Sequence, residues 1–204
     1  MAKDRTQNRR IEGQAETNFY RTRRTARRNE MSELPSVKKP RRRKRAAKDF
    51  AFFRTTYLKN TFYRADQAVH KHISDEGEKA VLVGGKQIIL APRKTGKTAF
   101  LRALMLWAVC CHPEKHKYIL YVAATSEAIE RTHKWILSQF FENDVLAEDF
   151  PELCYPFRAY ESQAAKNCQR GITYHGQEVE AKWSGGVIVL PKIEGSPYGG
   201  ITIR

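Results

Sequence analysis

Ile88-Ile89-Leu90-Ala91-Pro92-Arg93-Lys94-Thr95-Gly96-Lys97-Thr98 is the stretch on which the reading of this chain turns. Three apolar residues lead into a short polar turn that ends in Gly-Lys-Thr, and apolar positions at Leu101, Leu104 and Trp107 follow. The phosphate-loop pattern is Gly, four residues, then Gly-Lys-Thr or Gly-Lys-Ser, set between a strand and a helix. Ala91 stands where the first glycine would be, and the rest fits. Such a loop aims backbone N–H groups at phosphate oxygens, and the helix behind it adds the positive end of its dipole. Gly96 permits the close approach and the dihedrals that other residues resist. Ala91, Pro92, Arg93, Lys94, Thr95, Gly96, Lys97 and Thr98 are therefore the expected cradle of a triphosphate. Lys97 is placed to reach the β- and γ-phosphates and the Thr98 hydroxyl to ligate a bridging magnesium, so ATP and Mg2+ are the expected cofactors. Arg93, always charged and with a planar donor fork, is within reach of the γ-phosphate or a neighbouring subunit. Arg93 and Lys97 are the candidate catalytic residues; a salt bridge on the rim is the plainer reading of Arg93. Lys94 is read as exposed, or as lying near nucleic acid.

Working outward, residues 86–90 and 118–123 read as compact buried strands. A helix is expected from about 96 to 111, stopping near His112-Pro113. Another is expected through about 141, capped by Thr125 or Ser126. Strand, turn, helix, strand, helix is the rhythm of a parallel sheet with helical crossovers. Upstream, Phe50, Phe53, Tyr57, Ala65, Val69 and Ile73 recur at mostly helical spacing, so 49–74 reads as one helix, with a connection at 75–84 that holds a short strand at 80–83. Tyr57, Phe62 and Tyr63 are read either as a wall for an adenine ring or as core. Downstream, a short helix at 161–168, antiparallel strands or an extended excursion within 171–190, a loop at 191–200 and a strand opening at 201 are expected.

Charge divides the chain. Lys and Arg total 37 against 22 Asp and Glu, a net of +15 over 204 residues. Residues 1–48 carry 17 basic and 5 acidic side chains, a net of +12. They include the run Arg41-Arg42-Arg43-Lys44-Arg45, and too few apolar residues to repay ordering. A disordered basic arm that contacts duplex phosphates without sequence preference is the functional reading, and a solubilising or assembly tail is the plain one. The expected organisation is thus an arm over 1–48, a helix and connection over 49–79, and a partial nucleotide-binding domain over 80–204.

Other chemistries find little support in the sequence. Apolar runs fall far short of the roughly 18–20 residues that span a bilayer, so no membrane partner is expected. Four cysteines without a CxxC pair suit neither a disulfide scaffold nor a zinc site. His70 and His72 alternate and do not share a helix face. After the loop, no run of four apolar residues ends in Asp-Glu, Asp-Asp or Glu-Glu, the acid that a hydrolase of this type uses to hold magnesium. Hydrolysis by this polypeptide alone is therefore doubtful, although binding is not.

With the loop, the 121–126 segment and its following helix, the aromatic stretch at 50–63 and Ser184-Gly185-Gly186, residues 50–204 resemble the ATPase half of the large terminase subunit of tailed bacteriophages. The resemblance implies an α/β fold, a P-loop NTPase of RecA-like (ASCE) type with a mostly parallel sheet, here apparently incomplete. It implies a viral DNA-packaging motor that couples ATP hydrolysis to DNA translocation. Double-stranded DNA, a portal protein, a small terminase subunit and a homo-oligomeric ring are the implied partners, in the host cytoplasm and transiently at the procapsid portal. Arg93 takes the place of that family's in-loop arginine. The chain stops before the family's acidic strand motif and its nuclease domain, which suggests an N-terminal piece. The alternatives are a helicase-like or defence-associated P-loop ATPase, or a non-catalytic DNA-binding assembly protein.

Overall fold

The computed structural model describes residues 30–162, 172–184 and 186–204. The helices among them are α1 (Pro40–Ala46), α2 (Phe50–Tyr57), α3 (Ala68–Val83), α4 (Lys97–Cys111), α5 (Ser126–Glu142), α6 (Asp144–Asp149) and α7 (Pro151–Ser162). The strands are short: β1 (Tyr118–Ile119), β2 (Thr173–Tyr174), β3 (Gln177–Glu178), β4 (Lys182–Ser184), β5 (Val187–Val189) and β6 (Thr202–Ile203). Residues 1–29, with the first arginine pairs, lie outside the described residues, as does most of the helix expected at 161–168.

Helix α4 forms where its sequence places it and is the spine of the core. Ala103 to Cys110 are all buried, because other helices cover it on several sides. Phe50 of α2 meets Trp107 with ring centroids 5.3 Å apart. Helix α3 crosses at Gly77, where an added Cβ would lie 2.5 Å from Leu104 Cδ1, so the absence of a side chain sets the closeness of that crossing. Farther along, Phe140 of α5 stacks on Phe157 of α7 at 5.0 Å, and Phe157 meets Trp183 at 5.4 Å. A second, smaller cluster gathers Met31, Ile172, Val179, Ala181 and Ile193.

The single helix expected over 49–74 is two helices. Asp49 caps α2 by accepting from the Phe52 amide at 2.7 Å. The chain turns after Tyr57, and α3 starts at a capping box in which Gln67 and His70 exchange bonds. That helix then runs through the strand expected at 80–83. Val81 and Leu82 pack on the core from a helical backbone, and β-branched residues yield to tertiary context there.

The expected parallel P-loop NTPase sheet is not what forms. The protein is largely helical, and its four-stranded sheet runs β1-β6-β5-β4 with only β1 and β6 parallel. The β6–β5 and β5–β4 pairs are antiparallel, as is the separate β2–β3 hairpin. Parallel neighbours need long crossovers, whereas the short reversal between Ser184 and Val187 pairs two strands directly. Residues 86–90 form no strand; Ile88 is 85% exposed and Leu90 91%. The strand expected over 118–123 contracts to β1. Beyond it the chain stays extended, with Tyr121 donating to the Arg204 carbonyl at 2.7 Å. Ile119 and Tyr121 turn toward the core, while Tyr118, Leu120 and Val122 face solvent. The segment is apolar on both faces but only one is covered.

Candidate phosphate-binding loop and basic helix

Residues 91–96 make a tight turn into α4. Gly96 is left-handed at φ 77° and provides no side-chain cap, so the first amides of α4 have no intrahelical acceptor. Lys94 is also left-handed, at φ 68°, an uncommon conformation for a residue with a side chain. The Lys97 ammonium folds back over the turn and donates to the Ala91 carbonyl at 2.5 Å and the Pro92 carbonyl at 2.6 Å. Thr95 donates to the same Pro92 oxygen at 2.9 Å. Arg93, Lys94 and Thr98 are exposed. Residues 91–96 thus form one compact turn, closed over by the Lys97 ammonium from the first residue of α4, with uncapped amides at the helix start.

Beside the turn, Arg54 joins an aromatic cluster that reaches the first turn of α4. Arg54, almost fully buried, packs its guanidinium against both the Phe62 and Phe100 rings at 4.6 and 4.7 Å, the two rings meeting edge-on at 5.1 Å, and Phe100 belongs to the first turn of α4. Its guanidinium holds Asp66 through both carboxylate oxygens, one at 3.0 Å, and draws the Asp66 carboxyl below its usual range. The His70 ring stacks on Phe100 at 5.7 Å. Of the three aromatic residues read as an adenine wall or core, Tyr57 is buried, Phe62 packs edge-on to Phe100, and Tyr63 is 73% exposed.

The basic run is not an unstructured strand of charge. Residues 40–46 form α1, begun by Pro40 at its first position, where a missing N–H costs nothing. The Trp107 indole of α4 donates to the Ala46 carbonyl at 2.8 Å and fixes the helix end. Arg42 turns inward to Asp149, a fully buried carboxylate, and to Glu148 at 3.0 Å. The Asp149 bond raises Arg42 above its ordinary value, and burial, reinforced by the same carboxylate, pushes Tyr57 up. Asp149 also accepts from the Tyr57 hydroxyl at 2.6 Å and the Lys39 amide at 3.2 Å. Arg43 pairs with Glu152 at 2.5 Å and donates to the Tyr198 hydroxyl at 3.1 Å; that hydroxyl donates to the Cys110 carbonyl at 2.8 Å. Arg41, Lys44 and Arg45 are exposed, with the Arg45 guanidinium 4.1 Å over the Phe52 ring. The loop and the basic helix therefore attach to opposite ends of α4.

Asp149 and Arg54 are the side chains that sequence reasoning missed. Asn143 caps α6 by accepting from the Leu146 amide at 3.1 Å, and that Asn-Asp start was the available signal for the helix that buries Asp149. Thr125 caps α5, as expected, by accepting from Ala128 at 3.3 Å. An open groove of about 530 Å³ lies between α5 and the β4–β5 hairpin, walled by Ile129, Leu137, Trp183 and Val187 with His133 at its side. Among the described residues no three His, Cys, Asp or Glu side chains converge as a metal site, and no helix is long and apolar enough to cross a membrane. No family model, curated protein or solved structure matches this chain.

Proposed function

We propose that residues 91–98 bind the phosphates of ATP with Mg2+, and that the chain is the ATP-binding part of a viral DNA-packaging motor of the large-terminase type. The observation that carries this reading is the turn itself: a left-handed Gly96, a fifteen-residue helix with no side-chain cap, and a lysine drawn over the loop carbonyls. These features fit a phosphate group. The uncapped amides are donors, and the Lys97 ammonium exchanges two neutral carbonyl acceptors for charged oxygens, a stronger bond. The Thr98 hydroxyl, exposed on the first turn, is the residue that would hold Mg2+, which would offset phosphate charge when bound. Arg93 stands on the same turn for the γ-phosphate or a neighbouring subunit.

The packaging role is supported by the sequence resemblance of residues 50–204 and by the net charge of the first 48 residues. It brings duplex DNA, a portal protein, a small terminase subunit and a ring of identical chains as partners, in the cytoplasm of an infected bacterium and at the procapsid portal. The reading concerns the loop, and not the sheet order, which differs from the expectation. Calorimetry with MgATP tests it: the wild-type chain binds, and Lys97→Ala weakens binding at least tenfold with helix content unchanged. Equal affinity for the two proteins defeats the assignment.

A further inference from the structure

The fold splits the basic run into two sets of side chains with opposite fates. Arg42 and Arg43 face inward and are consumed by Asp149, Glu148, Glu152 and Tyr198. Arg41, Lys44, Arg45 and Lys48 are exposed. Their spacing of i, i+3, i+4 and i+7 places them in one row along the helix and its closing turn, where Ala47 keeps helical dihedrals and the Lys48 amide donates to the Arg45 carbonyl at 3.0 Å. We propose that this outward row, Arg41, Lys44, Arg45 and Lys48, is the surface that lies along the phosphate backbone of a DNA duplex, and that Arg42 and Arg43 take no part in it.

Three observations carry the proposal. First, neighbours on a helix face stand about 5–6 Å apart, and like charges at that distance oppose the helix. Helix α1 contains no acidic residue and has no side-chain cap. It is held against its own repulsion by Arg42, by Arg43 and by the Trp107–Ala46 bond from α4. A polyanion laid on the row relieves that repulsion. Second, the row is preorganised. Its inner face is anchored, and Phe52 supports the Arg45 guanidinium. Third, the dimensions suit a duplex. Seven residues of helix advance about 10 Å, and about 10 Å of duplex axis carries roughly six phosphates. An acidic protein patch would need a comparable density of carboxylates to match the four cations, whereas duplex DNA has it everywhere. The contact reads charge and not bases, because the row presents no element shaped for a groove.

This inference rests on the reading of the chain as a DNA-contacting protein but not on nucleotide binding by the loop. The test is binding of the full chain to a fluorescent 30-base-pair duplex across a range of salt concentrations, without nucleotide. The logarithm of affinity falls with the logarithm of salt by about 0.9 per phosphate contact. Replacing Arg41, Lys44, Arg45 and Lys48 together with Ala lowers that slope by about 3 to 4, and two random 30-base-pair sequences behave alike. Lys59→Ala, which removes an exposed charge outside the row, leaves the slope unchanged. Arg42→Lys, which keeps the charge but loses the paired fork, leaves the slope unchanged while lowering the unfolding midpoint. A wild-type chain that does not bind the duplex overturns the DNA reading and this inference together. Normal binding with an unaltered slope in the quadruple variant overturns the inference alone. So does a quadruple variant that loses phosphatidylserine vesicles or polyglutamate but keeps the duplex.

Discussion

The two sides of Gly96 are both rich in apolar residues and end in opposite conditions. After it, Leu104 to Cys110 vanish into the core; before it, Ile88 and Leu90 stand in solvent at 85% and 91% exposure. Residue type does not separate them. An α-helix satisfies its own backbone, so α4 needs only neighbours to cover its side chains. An extended segment must find a paired strand before its apolar residues can be buried, since unpaired backbone polar groups are costly away from water. The residues before Gly96 have no such strand among the described residues. Burial therefore follows backbone pairing, and apolar character alone does not secure it.

The comparison breaks most readily on leucine truncation. Leu106→Ala, at a fully buried site, should cost about 2–5 kcal/mol in urea unfolding, and Leu90→Ala should change stability by less than about 0.5 kcal/mol. Similar costs at both positions mean that 86–90 is buried after all. A smaller effect is expected at the boundary. An alanine Cβ at Gly96 would meet Phe100 no closer than 3.8 Å, so Gly96→Ala is opposed by its left-handed φ and not by a clash. It should cost about 1–2 kcal/mol, and a neutral result means that the turn has another conformation. The smallest effect concerns pH. Burial lowers His133 and His112 below the ordinary histidine value of 6.5. As pH falls below that value the unfolded chain takes up protons that the folded chain refuses, so stability drops as pH falls through and below 6.5. His133→Gln should flatten part of this drop; an unchanged profile excludes His133 as a source.

The turn at 91–96 was more legible than the sheet. Gly-Lys-Thr after three apolar residues located a turn whose geometry is local, set by Gly96 and the start of a strongly apolar helix. Thr125 announced α5 for the same reason: a cap acts on amides within its own turn. The Asp66-Gln67 start of α3 was hidden by the helical spacing that runs through it from Phe50 to Ile73. Asp149 was passed over because its value depends on Arg42 and Tyr57, which lie about a hundred residues away. The five basic residues at 41–45 looked equivalent because the sequence gives a charge but not a direction. Three acidic side chains on α6 and α7 assigned the directions.

By itself the sequence determined the compact turn at 91–98, the helices on either side of β1, the cap at Thr125 and the charge imbalance, because each depends on dihedrals, spacing or composition over a few residues. Tertiary structure alone decided that the sheet is mostly antiparallel, that 86–90 stays outside it, that Asp149 is buried among partners, and which arginines face inward. Those outcomes depend on which distant segments meet, and a strand or a carboxylate carries no local record of its future neighbour.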